Sequence, residues 1–120
     1  EKHRAIYETV RRANAAAEAI LKPGVPLCEV DKAARQIIED AGYGPNFTHR
    51  LGHFIGLEVH EYGDVSSANT KVAEVGNIFS IEPGIYVEGE VGVRIEDLVL
   101  ITEDGCEILN SFSKELDIVE

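Results

Sequence analysis

The stretch His49-Arg50-Leu51-Gly52-His53-Phe54-Ile55-Gly56-Leu57-Glu58-Val59-His60-Glu61 divides the chain in two. Before it, apolar residues recur at helical spacing. After it, β-branched residues run in short groups between turns. Gly52 and Gly56 make a helix here unattractive, because a glycine in a helix interior costs about 1 kcal/mol relative to alanine. His49 and His53 are spaced i, i+4, as on one face of a HExxH helix. An extended, glycine-kinked segment is nevertheless the better expectation, and it aims the imidazoles of His49, His53 and His60 separately toward one cleft.

Upstream, Ile6, Val10, Ala13, Ala17 and Ile20 form one stripe, which predicts an amphipathic helix over 2–22. Its alanines make it slim enough to pack closely, and Pro23-Gly24 stops it. A second helix is expected from Val25 to Gly44, with Pro26 in its first turn and Val30, Ala33, Ala34, Ile37, Ile38 and Ala41 on its apolar side. Gly44-Pro45-Asn46 then turns the chain.

Downstream, 62–70 is polar and reads as a surface loop. Strands are expected at 78–81, at 85–87 and over the long run 91–102, where Val93, Ile95, Val99 and Ile101 are β-branched. Glu88-Gly89-Glu90 reads as a hairpin turn. A last strand covers 106–109, followed by a peripheral tail from Ser111. Helices first and strands afterwards argue an α+β fold, two helices packed on a curved antiparallel sheet.

The 120 residues amount to one domain, with 22 acidic against 11 basic side chains. That balance argues against nucleic acid, which demands a basic face. No apolar run reaches the roughly 18 residues of a membrane span. Cys28 and Cys106, outside any CxxC pair, read as buried free thiols in a reducing cytoplasm. The chain contains no Met and opens inside a helical pattern, so a fragment of a longer protein is expected.

On a strand, residues i and i+2 share a face. Arg94, Glu96 and Leu98 therefore point one way, and Val93, Ile95 and Asp97 the other. Glu96 on an apolar strand is costly to bury unless paired, with Arg94 beside it, or metal-bound. Glu82, before Pro83-Gly84, reads alone as a strand-end carboxylate facing water. Taken singly, each of His49, His53, His60, Glu82 and Glu96 has an ordinary structural account. Together, with glycines spaced between the histidines, they favour a metal site of imidazole and carboxylate, suited to Mn, Fe, Co or Zn rather than Ca.

HRLGHFIGLEVHE (49–61), FSIEPGIY (79–86) and GVRIEDLVLITEDG (92–105) closely resemble the motifs of prolidases (Xaa-Pro dipeptidases) and aminopeptidases P, the pita-bread metallopeptidases. KPGVPLCEVDKAARQIIEDAGYG (22–44) resembles that family's second helix and its flanks. The resemblance implies His53, Glu82 and Glu96 as metal ligands, with Glu96 bridging two ions and Glu82 also accepting a proton from the bound water. It implies His60 as the residue that steadies the tetrahedral intermediate or shuttles a proton, His49 as a lining of the substrate pocket, and Arg94 as an arginine near the site. The implied reaction is hydrolysis of Xaa-Pro bonds in short peptides by a hydroxide bridging two divalent cations (Mn, Co, Fe or Zn).

The chain departs from that pattern in two places. The two aspartates of the family's DxG…D pattern are absent upstream of the first helix, and Asp31 and Asp40 lie in helix context. Phe54 stands where the family often has Gly, which would narrow the pocket. The expectation is therefore residues 1–120 as the C-terminal half of a metallopeptidase catalytic domain. Alone it would be inactive, would hold at most one cation weakly, and would form a homodimer that imitates the missing half. The rival expectation is a pita-bread binding module or pseudo-enzyme.

Overall fold

Branched and small apolar residues at steps of four and three build helix α1 (Lys2–Ala19), which buries Ile6, Val10, Ala13 and Ala17. The computed structural model describes residues 2–54 and 64–118, with side chains for 3–54 and 64–109. The helix ends earlier than the stripe predicts. Ile20 is 36% exposed, and Leu21, past the end, takes the buried position at 3%. Helix α2 (Leu27–Asp40) buries Leu27, Val30, Asp31, Ala34 and Ile38. Pro26 stands before it with extended backbone (ψ 135°) and not in its first turn. The N–H groups of Leu27 and Cys28 donate to the carbonyls of Lys71 and Asn69, both at 2.8 Å. These loop carbonyls satisfy donors that a helix start leaves without a partner. Gly42, at φ +90°, ends the helix, and a 3-10 turn follows at Gly44–Asn46.

Six strands follow among the described residues: β1 (Gly52–His53), β2 (Asp64–Val65), β3 (Ile78–Ile81), β4 (Gly84–Val87), β5 (Val91–Ile101) and β6 (Cys106–Ile118). β1 and β2 form an antiparallel pair. β5 is the spine of the larger sheet. β3 and β4 pair end to end along one of its edges, and β6 pairs along the other. Two expectations are corrected here. Val65, inside the supposed surface loop, is fully buried as half of β2. The last strand runs on past Leu109 to Ile118, because β5 offers a long row of backbone groups that need partners.

Alternation along β5 separates two environments. Val91, Val93, Ile95, Asp97, Val99 and Ile101 are buried, while Arg94, Glu96, Leu98 and Leu100 are only partly covered. Both helices and the buried face of β5 share one apolar core with Phe79, Ile81 and Ile85. Asn14 of α1 donates to the Ile81 carbonyl at 3.3 Å, fixing the helix beside the end of β3. The α+β architecture, helices on an antiparallel sheet, is as the sequence predicts.

Candidate metal centre and its cleft

Gly52 starts the site. A Cβ there would lie 1.8 Å from the Ser80 carbonyl oxygen, so only glycine lets β1 cross β3 this closely. The approach carries His53 onto Ser80, whose hydroxyl accepts the His53 N–H at 3.0 Å. The same hydroxyl donates to Glu82 Oε2 at 2.6 Å. His53 Nε2 then stands 3.3 Å from that carboxylate oxygen. The segment is extended at 52–54, as its glycines predict.

Glu82 occupies the break between β3 and β4 at Pro83. Its N–H donates to the Leu51 carbonyl at 2.7 Å, and its side chain is only 13% exposed, so it does not face water. Arg94 pairs with Glu82, Nη1 to Oε1 at 3.6 Å, rather than with its strand neighbour Glu96. Register explains this, because Arg94 lies opposite Gly84, two residues from Glu82. The same register, continuous from Ile81↔Asp97 to Gly84↔Arg94, sets Glu82 opposite Glu96.

His49, Arg50, His53, Asp64, Glu82 and Arg94 line an open cleft of about 530 Å³. His49 Nε2 is 3.2 Å from the Tyr86 hydroxyl, and its Nδ1 is 2.6 Å from the Arg50 carbonyl. Burial raises the Tyr86 phenol above its ordinary value; Glu82 adds to the rise and Arg94 opposes it. Phe54 packs its ring on Phe79, centroids 5.3 Å apart, and is not among the lining residues, so it does not narrow the cleft. His60 lies outside the described residues.

Three contributors are not legible from sequence spacing. Ser80 is buried and ties His53 to Glu82. Tyr86 meets His49. Asp64 lies opposite His53 in the β1–β2 register and takes a hydrogen bond from Ser66 at 2.8 Å.

The donor set fits a divalent metal in part. An imidazole nitrogen and a carboxylate oxygen converge, and a second carboxylate is opposite in register; these are the donors that Mn, Fe, Co and Zn accept. Among the described residues, no three His, Cys, Asp or Glu side chains meet closely enough to complete a site. Cys28 and Cys106 are free and only half-buried, and no described helix is long and apolar enough to cross a membrane.

Comparison with known proteins gives consistent relatives. The sequence profile of metallopeptidase family M24 matches residues 1–103. An uncharacterized peptidase of Staphylococcus haemolyticus is 54% identical over 114 residues, 95% of this chain and 32% of the relative. Among solved structures, the prolidase from Pyrococcus furiosus superposes with a TM-score of 0.88 at 46% identity, covering 95% of this chain and 34% of that one. The X-Pro aminopeptidase from Thermotoga maritima does so with a TM-score of 0.88 at 41% identity, covering 96% and 33%. The chain thus spans about one third of the length of the proteins it matches.

Proposed function

The chain belongs to metallopeptidase family M24, and on that premise we propose that it is the C-terminal half of the catalytic domain of a peptidase that hydrolyses Xaa-Pro bonds of short peptides. The observation that carries this reading is the convergence of His53 Nε2 and Glu82 Oε2 at 3.3 Å in an open cleft, held there by Ser80. The prolidase and X-Pro aminopeptidase structures that share this fold support the proline-directed substrate class.

His53, Glu82 and Glu96 are the ligands this chain would offer to a divalent metal. A bound cation supplies a water of lowered pKa and polarises the scissile carbonyl. The remaining roles fall to side chains. Glu82 accepts a proton from the attacking water, with Ser80 and Arg94 keeping its carboxylate oriented. His49 lines the pocket against Tyr86. Arg94 supplies positive charge beside Glu82, and His60 stabilises the tetrahedral intermediate.

One imidazole and two carboxylates cannot hold two cations, so the reading makes the 120-residue chain inert alone. The two free thiols fit a cytoplasmic protein. Exposed Ile108 and Leu109, on the outer strand β6, support association of two copies. A protein joining this chain to an upstream segment with the two aspartate ligands should cleave an Xaa-Pro dipeptide with added Mn or Co. His53→Ala and Glu82→Gln should each abolish that cleavage. Wild-type inactivity with every divalent metal would overturn the reading.

A further inference from the structure

Helix α2 carries Asp31 and Arg35 one turn apart, facing residues 47–51. Asp31 is fully buried. Arg35 Nε donates to Asp31 Oδ2 at 2.9 Å, and Nη2 donates to Oδ1 at 3.1 Å. The rest of the guanidinium fork leaves the helix. Nη1 donates to the Phe47 carbonyl at 3.1 Å and Nη2 to the His49 carbonyl at 3.0 Å. Asp31 Oδ1 accepts the Leu51 N–H at 3.2 Å. The guanidinium carbon lies 4.0 Å over the Phe47 ring.

These contacts fall on residues 47, 49 and 51, alternate positions whose backbone groups face the helix. The pair grips the backbone immediately before β1 and leaves the His49 ring to project elsewhere. That ring sits edge-on to Phe47, centroids 5.1 Å apart, with Nε2 3.2 Å from the Tyr86 hydroxyl. A buried ion pair is weak support for stability, because desolvation offsets most of its attraction. A planar fork with fixed donor directions does, however, carry positional information that an apolar pair lacks.

We propose that Asp31 and Arg35 form a positioning pair, acting through the His49 carbonyl and the Leu51 N–H, that aims the His49 imidazole at Tyr86 across the cleft. The proposal rests on the reading of His49 as a substrate-pocket residue. Lysine can hold Asp31 but cannot also reach both carbonyls, so Arg35→Lys separates charge from position.

The first measurement is NMR of the 120-residue chain. Wild type should give ring-to-ring cross-peaks between His49 and Tyr86. Arg35→Lys and Asp31→Asn should lose them while the methyl resonances of Ile6, Val10 and Ile85 stay in place. Persistence of the cross-peaks in both variants would overturn the proposal. So would global unfolding of both, which makes the pair a core device. The second measurement is turnover in the longer protein. Arg35→Lys should raise KM about tenfold with kcat nearly unchanged, the mark of lost uniform binding. Methylguanidinium should lower the KM of Arg35→Ala. A fall in kcat alone would indicate a smaller folded fraction and count against positioning. Absence of turnover in wild type sinks the peptidase reading and leaves the NMR result to judge the pair.

Discussion

Glu18 and Asp97 meet carboxyl to carboxyl between α1 and the buried face of β5. Glu18 Oε2 is buried with no hydrogen-bond partner among the described residues, and Asp97 is 3% exposed. Burial, with the hydrogen bond and charge of Asp97 behind it, pushes the Glu18 carboxyl up from an ordinary 4.5 to about 9. Cys106 packs at the same point, its thiol raised by burial and then by Glu18.

The pair makes stability depend on pH with a definite sign. The folded chain keeps a proton on Glu18 that the unfolded chain releases above about 4.5. Its contribution is complete below that value, and it is lost as pH rises through about 9. Glu18→Gln keeps a donor toward Asp97 and has no proton to lose. Thermal unfolding midpoints of the two proteins should diverge from pH 5 to pH 8.5 in favour of Glu18→Gln. Equal slopes would show that Glu18 ionises freely in the fold.

Ser80→Ala removes the hydroxyl that joins the His53 N–H to Glu82. One of its two hydrogen bonds ends on a carboxylate, and the serine is buried, so a loss of about 2–3 kcal/mol is expected. Urea denaturation measures it. Glu82 would lose one of the groups that orient it, so calorimetry should also show weaker metal binding.

Two glycines should respond in opposite degree. Gly52→Ala forces a methyl into the Ser80 backbone carbonyl, and overpacking against an atom that cannot swing aside costs about 3 kcal/mol or more. Gly24→Ala has open space around it but φ +93°, so only the left-handed backbone penalty of about 1 kcal/mol applies. If thermal unfolding ranks them the other way, β1 does not cross β3 at this distance in solution.

Metal binding by the isolated chain tests the ligand assignment without catalysis. Titration with Mn or Zn should give one weak site, lost in His53→Ala and in Glu82→Gln. The same absence of heat in wild type would remove His53 and Glu82 as a ligand pair.

The sequence made the helices, the β5 alternation and the extended form of 52–54 legible, because each rests on local spacing. It missed what depends on distant partners. Ile20 completes the α1 stripe on paper, yet the helix stops at Ala19 and Leu21 fills the core instead. Asp64 and Val65 read as loop because two residues carry no periodicity; they are a strand only through Gly52 and His53. Ser80 looked like any residue of an apolar strand until β1 arrived over it. Asp31 read only as a helix residue, and the backbone groups that it and Arg35 hold belong to a different segment.

β5 has one further consequence. Its odd positions face the helices and its even positions, Arg94 and Glu96 among them, face away from that core. Deleting a single residue near Gly92 would exchange the two sets. It would drive an arginine and a glutamate into the core and turn valines and isoleucines outward. Length variation is therefore barred from this strand, whereas the turn Glu88-Gly89-Glu90, outside both phases, can absorb it. In a library of insertions and deletions, survivors should crowd at that turn and vanish from Val91 to Ile101.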